Sequence, residues 1–284
     1  MSGPQYVLVL CLALIAFAAN SVLCRLALGS GLIDAGAFTA VRICSGALAL
    51  LLIVRRRNLA IEVRGWLPAL MLFAYAACFS FAYLDLSAGT GALLLFGAVQ
   101  VTMIGGGLVA GERPSARAWL GWMTACAGMV YLVMPGVEGP PIKGAALMLC
   151  AGVAWGIYSL LGKREVDPIA ATARNFSLAT PMAIGLLMAT QRAPADASAV
   201  GITLAFISGA LTSGLGYVLW YAVLRHITSV SAAISQLTVP VLAAAAGAAF
   251  LSESVTARLV ISAALTLGGV AIALSFRSRA ADLT

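Results

Sequence analysis

Charged side chains are scarce in this sequence, since Asp, Glu, Lys and Arg together make up only 10% of its 284 residues. A soluble domain carries roughly 25% charged residues, which it needs to cover its surface. Long polar stretches that could fold as a separate catalytic domain are also missing, because the hydrophobic residues, 62% of the chain, are spread along its whole length. The composition therefore excludes a water-soluble globule and disfavours most enzymes.

Residues and motifs for catalysis or metal binding are equally sparse. The single histidine, His226, is expected at a membrane interface, and the six cysteines form no C-x-x-C pair, so neither a zinc site nor a disulfide framework is predicted. No G-x-S-x-G or H-E-x-x-H motif occurs. We therefore expect no enzymatic activity, no cofactor and no metal. An integral-membrane enzyme or scaffold is the disfavoured alternative.

What the sequence does contain is a series of long apolar runs. Each crossing of the hydrocarbon layer takes about 20 apolar residues in a helix, and ten such runs fit the chain. They are residues 5–24, 36–54, 66–84, 88–110, 116–134, 143–162, 168–189, 200–221, 227–251 and 257–276. The predicted fold class is an all-α integral membrane protein with ten transmembrane helices, called spans 1 to 10 below.

Basic residues fall mainly on one side of this predicted bundle. Eleven Lys and Arg lie at the termini or in the connections that follow even-numbered spans, whereas four lie on the other side. Lys and Arg accumulate on the cytoplasmic side of membrane proteins, so both termini are expected in the cytoplasm. This topology explains the formal net charge of +7, and no nucleic-acid partner is predicted.

The chain also matches itself when it is shifted by 141 residues, which places spans 3 to 5 on spans 8 to 10. The matched pairs are Ala92 with Ala233, Glu112 with Glu253, Arg117 with Arg258, and Gly128 with Gly269. Five helices per repeat is an odd number, so the second copy must enter the membrane from the opposite face. We therefore predict two inverted repeats, residues 1–138 and 139–284, around a central cavity, an arrangement typical of transporters that work by alternating access.

Further short matches complete a recognisable pattern. An offset of 132 places Arg42 on Arg174, each in the second span of its repeat, and Ala154-Trp155-Gly156 lies in the first span of the second repeat. An apolar run with Pro240 in its middle ends in Leu251-Ser252-Glu253, and the first repeat ends the corresponding run in Gly111-Glu112-Arg113. On these features the chain resembles the drug/metabolite transporter superfamily, in its ten-helix EamA branch.

The resemblance implies a function that the composition alone does not give. Within the EamA branch the sequence is similar to bacterial inner-membrane exporters of amino acids, above all of aromatic ones. Such membership implies export of small metabolites from a cavity lined by spans 1, 3, 4, 6, 8 and 9. A multidrug exporter, or an exporter of other metabolites, is the alternative within the same superfamily. We expect the protein to act as a monomer in the lipid bilayer.

Polar and aromatic side chains in the middle of the spans are the candidates for binding a substrate. Amides and hydroxyls are unfavourable in lipid, so they are expected to face a cavity or another helix, and aromatic rings suit a zwitterion with a hydrophobic side chain. The same residue types also pack helices together and hydrogen-bond between them. The predicted substrate-binding residues are Asn20, Tyr75, Phe79, Gln100, Trp155, Tyr158, Ser159, Tyr217, Tyr221, Gln236 and Thr238.

Three other features bear on the mechanism. Pro240 is predicted to be a helix hinge, whereas the first repeat has Val99 at the matching position. Arg42 and Arg174 are expected to reach the interface or helix-end carbonyls, with binding of a substrate carboxylate as the alternative. No Asp or Glu lies in the middle of a span, and Asn20 stands where related small multidrug pumps keep a carboxylate. Proton antiport through an intramembrane Glu is therefore not predicted.

Overall fold

The computed structural model describes residues 3–56, 65–134, 139–190 and 197–274, and within these ranges all regular structure is helical. The helices are α1 (Gly3–Gly29), α2 (Ala35–Arg56), α3 (Leu67–Ala82), α4 (Ala88–Val109), α5 (Ala116–Val133), α6 (Ile142–Gly162), α7 (Pro168–Thr190), α8 (Ala199–Ile207), α9 (Gly216–Leu224), α10 (Ser229–Ser235), α11 (Thr238–Leu251) and α12 (Ala257–Leu274). A π-helical segment, Ser208–Leu215, joins α8 to α9.

Several of these helices are built to lie in a membrane. Six stretches are long and apolar enough to cross one, namely Gln5–Gly29, Ala35–Arg56, Ala88–Val109, Ile142–Gly162, Ala199–Leu224 and Ser229–Leu251. Large apolar side chains such as Leu52, Met123 and Phe250 are more than half exposed, as expected for residues in contact with lipid chains. The chain is therefore a multi-pass membrane protein, while the number of ten crossings stays a prediction.

The connections between helices gather at two ends of the bundle. At one end the N–H of Ser198, before α8, donates to the carbonyl of Leu32, after α1, at 2.9 Å. At the other end Arg225, after α9, donates to the carbonyl of Val166, between α6 and α7, at 2.8 Å. The 23 residues of α7 separate these ends by about 35 Å. We call them the Leu32 end and the Val166 end.

Five basic residues that were counted for the topology lie outside the described residues: Arg57, Arg64, Arg192, Arg277 and Arg279. The orientation of the bundle in the membrane therefore stays a prediction.

Helices from the two predicted repeats pack against each other throughout the bundle. The main pairs are α2 with α7, α3 with α6, α4 with α6, and α5 with α12. α4 also packs against α10 and α11. It runs antiparallel to them, because Glu112 beyond the end of α4 contacts the start of α10, and Glu253 beyond the end of α11 contacts the start of α4.

Span 8 is not the regular helix that the sequence predicts, and span 9 is interrupted close to Pro240. In span 8 the π-helical segment interrupts the α-helix, a feature found frequently at functional sites. In span 9 the helix breaks at Gln236 and Leu237, between α10 and α11. Pro240 has no N–H for the carbonyl of Gln236, and the N–H of Val239 donates to that carbonyl at 3.0 Å. The corresponding α4, with Val99 in place of proline, is continuous.

Candidate functional site

A buried polar cluster joins α1, α2, α3 and span 8 inside the bundle. The Asn20 amide nitrogen donates to the Tyr75 hydroxyl at 3.3 Å. Arg42 donates through Nη2 to the hydroxyls of Tyr75 at 3.1 Å and Tyr217 at 2.7 Å. Its Nε donates to the Ser213 hydroxyl at 2.9 Å. All five residues are at most 4% exposed, and we call them the central cluster.

The position of Arg42 corrects the expectation that this side chain reaches the interface. It follows the first residue of α2 by seven positions, or about 10 Å along the helix axis, and its side chain is directed into the bundle. Its guanidinium carbon lies 5.1 Å from the Tyr75 ring centroid and 5.0 Å from that of Phe79, and such cation–π contacts stabilise a desolvated cation. Because hydroxyls and rings provide partners inside, the side chain does not need to snorkel.

The π-helical segment supplies further hydroxyls to this cluster. The Asn20 side-chain oxygen accepts from Ser208 at 2.6 Å and from Thr212 at 3.2 Å. The close approach depends on Gly209, since a Cβ there would overlap the carbonyl of Arg42. The irregular helix thus brings span 8 against α1 and α2 where the polar groups are concentrated.

An aromatic shell surrounds the central cluster, with Trp155 of α6 at its middle. The Trp155 ring centroid lies 4.6 Å from that of Tyr217, 5.0 Å from Tyr75 and 5.4 Å from Tyr158. The Phe17 ring packs edge-on against Trp155 at 5.2 Å. These rings are buried and belong to both predicted repeats. They offer an apolar environment directly beside the amide, hydroxyl and guanidinium groups.

The two predicted glutamines take different positions. Gln236 lies at the break in span 9, and its side-chain oxygen accepts from the Trp155 indole N–H at 2.8 Å. Gln100 on α4 donates to the backbone carbonyl of Ala233. It also lines a narrow, mostly apolar pocket of about 20 Å³ between α4, α5 and α10. Gln236 therefore joins the aromatic shell, whereas Gln100 lies beside it.

The remaining predicted residues are also divided between the interior and the surface. The Ser159 hydroxyl accepts from the indole N–H of Trp220 at 3.1 Å, and the Tyr221 hydroxyl donates to the Tyr158 carbonyl at 3.2 Å. Both are buried next to the aromatic shell. Thr238 is exposed on α11 and has no described hydrogen bond to the shell or the central cluster, so it is not part of the candidate site.

Some buried polar atoms around the aromatic shell have no hydrogen-bond partner within the described part of the chain. The clearest of them is Arg42 Nη1 in the central cluster. A buried polar group without a partner is destabilising by about 1–3 kcal/mol, so such atoms mark places where a bound molecule would form hydrogen bonds.

An ionic cluster connects the helices at the Leu32 end. The Glu253 carboxylate, after α11, accepts the N–H of Ala88, the first residue of α4, at 2.9 Å. Arg25 of α1 donates through Nε to the same carboxylate at 3.2 Å and through Nη1 to the carbonyl of Tyr83 at 3.0 Å. Arg25 and Glu253 also line an open cleft of about 300 Å³. We call this arrangement the Glu253 cluster.

A second ionic cluster lies toward the Val166 end. The Glu112 carboxylate, after α4, accepts the N–H groups of Ser229 at 3.0 Å and Val230 at 3.4 Å, at the start of α10. Lys163, which follows α6, donates to it at 3.4 Å. Burial alone would raise the pKa of the Glu112 carboxyl, but the two N–H donors and the Lys163 ammonium outweigh burial and hold its pKa below the usual value. We call this arrangement the Glu112 cluster.

The two ionic clusters correspond under the offset found in the sequence. A shift of 141 places Glu112 on Glu253, and it also places Ala88, the N–H donor to Glu253, on Ser229, a donor to Glu112. The residue before each glutamate, Gly111 or Ser252, has a positive φ of 87° or 52°, a conformation common after a helix end. Each glutamate thus joins the end of one helix to the start of the helix that packs against it.

Arg174 differs from Arg42 although the two align. It is 8% exposed, pairs with the carboxylate of Glu165 in the connection before α7, and donates to Asn175 at 3.3 Å. Arg174 is thus neutralised near a helix end, whereas no acidic side chain of the described residues contacts Arg42.

Sequence reasoning left several members of the site out of the candidate set. Ser208 and Phe17 were missed because single serines and phenylalanines are ordinary in apolar helices. Asn175 could have been found, since an amide inside a membrane helix is costly unless it has a partner. Arg25 carried a signal as well, because it is the basic residue next to the end of span 1.

Comparisons with known proteins agree with this architecture. The EamA-like transporter family matches residues 142–275. An uncharacterized protein of Pseudomonas aeruginosa is 49% identical over 279 residues, covering 98% of this chain and 97% of its own. An uncharacterized transporter of Archaeoglobus fulgidus is 28% identical over 200 residues, covering 68% of this chain and 69% of its own. A protein crystal structure matches 98% of this chain and 99% of its own with a TM-score of 0.72 and 16% identity, which shows a shared fold.

Proposed function

The chain belongs to the EamA-like transporter family and is a membrane transporter, and from that premise we propose that it exports amino acids, mainly aromatic or other hydrophobic ones, and related small metabolites across the bacterial inner membrane. The observation that carries this proposal is the central cluster inside its aromatic shell. Amide, hydroxyl and guanidinium groups suit the ends of a zwitterion, and the rings suit its side chain.

Alternating access is the proposed mechanism, and the two ionic clusters support it. Residues 1–138 and 139–284 act as inverted halves, and each glutamate of one half holds a cation and a helix start of the other half. The Glu253 cluster closes one end and the Glu112 cluster closes the other. Substrate reaches the central cluster when one ionic cluster opens and leaves when the other opens, with Pro240 as the hinge of span 9.

The proposed orientation follows from charge. The connections at the Val166 end hold Lys163, Arg164 and Arg225, so this end faces the cytoplasm with both termini. The Glu112 cluster then controls entry from the cytoplasm, and the Glu253 cluster controls release on the other side. Export of multiple cationic drugs is the less favoured function, because the positive charge of Arg42 in the central cluster repels cations.

Uptake by proteoliposomes tests the proposed substrate class. The purified protein should give saturable flux of a radiolabelled aromatic amino acid above that of protein-free liposomes. Unlabelled hydrophobic amino acids should compete with this flux, whereas cationic dyes should not. Absence of saturable flux for every amino acid, with folded protein, would exclude amino-acid transport. Competition by cationic dyes alone would favour the multidrug alternative.

The matched control for this assay is Thr238→Ala. Thr238 was predicted to bind substrate, but its side chain lies on the exposed face of α11. Asn20→Ala removes an amide of the central cluster and should raise KM, whereas Thr238→Ala should leave KM unchanged. Equal effects of the two substitutions would show that the central cluster is not the substrate site.

A further inference from the structure

Arg42 carries a buried positive charge without a counterion in the described part of the chain. The residue is 1% exposed, and its hydrogen-bond partners are the neutral hydroxyls of Tyr75, Tyr217 and Ser213. Its third nitrogen, Nη1, is buried and has no hydrogen-bond partner among the described residues. Arginine stays protonated in proteins, so the charge is not removed by proton loss.

The described acidic side chains that make ionic or capping contacts are engaged elsewhere. Glu112, Glu165 and Glu253 pair with Lys163, Arg174 and Arg25, respectively. The Asp34 carboxylate accepts from Ala37 at the start of α2, and the Asp167 carboxylate accepts from Ile169 at the start of α7. The Arg42 charge is therefore isolated among neutral groups.

An isolated charge in this position is unfavourable for folding, so its presence indicates a function. Removing a guanidinium from water is costly, and neutral hydrogen bonds and ring faces recover only part of that free energy. Charged residues inside membrane-spanning segments accordingly mark ligand or ion sites. A counterion for Arg42 from outside the described part of the chain would be a bound molecule that can enter and leave.

We infer that Arg42 binds the carboxylate of the transported molecule, and that the substrates are organic anions or zwitterions with a carboxylate next to an apolar body. The inference rests on the proposed transport function and adds the residue that selects the substrate class. Arg42 Nη1 donates to the incoming carboxylate, the Tyr75 and Tyr217 hydroxyls lie next to Arg42, and the rings of Phe79 and Trp155 pack against Arg42 and Tyr75, respectively.

The second half of the chain provides the matched control. Arg174 occupies the aligned position but is already neutralised by Glu165. A carboxylate ligand gains a new ion pair at Arg42, whereas at Arg174 it would have to displace an existing one. Carboxylate selectivity should therefore depend on Arg42 alone, and Arg174→Gln should leave it intact.

The experiment compares ligands that differ only in their charged groups. Competition with labelled phenylalanine uptake and thermal shifts of the purified protein are measured for phenylalanine, phenylalanine amide and 3-phenylpropionate. The wild-type protein should bind both carboxylates at least about 10-fold more tightly than the amide, since a charged hydrogen bond is worth about one to two powers of ten in affinity. Arg42→Gln should remove this preference, and Arg42→Lys should retain part of it.

Failure of this inference is distinguishable from failure of the proposed function. If phenylalanine is transported but the amide competes equally in the wild-type protein, or if Arg42→Gln keeps the preference, Arg42 is not the carboxylate site although transport stands. If no amino acid is transported but 3-phenylpropionate still stabilises the wild-type protein and not Arg42→Gln, the site is correct and the amino-acid assignment is wrong. Loss of the preference in Arg174→Gln as well would contradict a specific role of Arg42. If Arg42→Gln does not fold, the comparison of wild-type with Arg42→Lys decides.

Discussion

The substitution Glu253→Gln should weaken closure at the Leu32 end of the bundle. It keeps the shape of the side chain but removes the charge that holds Arg25 at 3.2 Å and the N–H of Ala88 at 2.9 Å. Buried charged hydrogen bonds contribute about 1.5–3 kcal/mol and exposed ion pairs about 0.2–1 kcal/mol. The Arg25 and Glu253 side chains are 26% and 15% exposed, so the pair lies between these limits.

A loss of about 1–2 kcal/mol corresponds to a shift of about 5- to 30-fold in the equilibrium between the closed and open forms. Cys24 reports this opening, because it is fully buried in this structure and directly precedes Arg25. In a variant with Cys24 as its only cysteine, a membrane-impermeant maleimide should react about 5- to 30-fold faster after Glu253→Gln.

Asp34→Asn is the control for this experiment. Asp34 is an exposed carboxylate at the same end that accepts from Ala37 at the start of α2 and takes no part in the Glu253 cluster. It should leave the labelling rate of Cys24 unchanged. Unaltered labelling in Glu253→Gln, or equal acceleration in Asp34→Asn, would refute the role of the Glu253 cluster in closure.

Three further substitutions test individual contacts by thermal unfolding in detergent. Gly209→Ala places a Cβ into the backbone of α2 and should destabilise the protein by about 1–3 kcal/mol, whereas Gly185→Ala has open space and should not destabilise it. Gln236→Leu leaves the Trp155 indole N–H without its acceptor and should cost about 1–3 kcal/mol. Glu112→Gln should lower the melting temperature at neutral pH. Because the folded pKa of Glu112 is lowered, this difference should persist above its ordinary pKa of 4.5 and vanish as the pH falls through the lower folded value. A difference that stays constant to low pH would contradict that role.

Much of the helical layout could be predicted from apolar length alone. Runs of about 20 apolar residues located α1, α2, α4 and α6, because lipid and helix geometry leave little freedom there. The division of span 8 was not predictable, since a π-helical segment depends on how Ser208 and Thr212 meet Asn20 across the bundle. The break in span 9 could be anticipated, because Pro240 removes a backbone donor.

The candidate site was only partly predictable for the same reason. The chemistry of the side chains was enough to select Asn20, Tyr75 and Trp155 as candidates, since polar and aromatic groups in apolar spans need partners. Thr238 differs from them because its side chain is exposed. It follows the break in span 9, and the sequence does not predict which face of the bundle a residue occupies after such a break. The expectation that Arg42 reaches the interface was wrong, because its hydroxyl partners come from distant parts of the chain and are brought to it only by folding.

Cross-linking each ionic cluster while transport is measured tests alternating access most directly. In a protein without its native cysteines, one variant carries Cys at positions 25 and 253, and another carries Cys at positions 163 and 112. A reducible reagent that reacts with two thiols then links each pair. Amino-acid flux into proteoliposomes should stop when either pair alone is linked and return after reduction. Continued flux with one pair fully linked would contradict a transporter that must open both ends in turn.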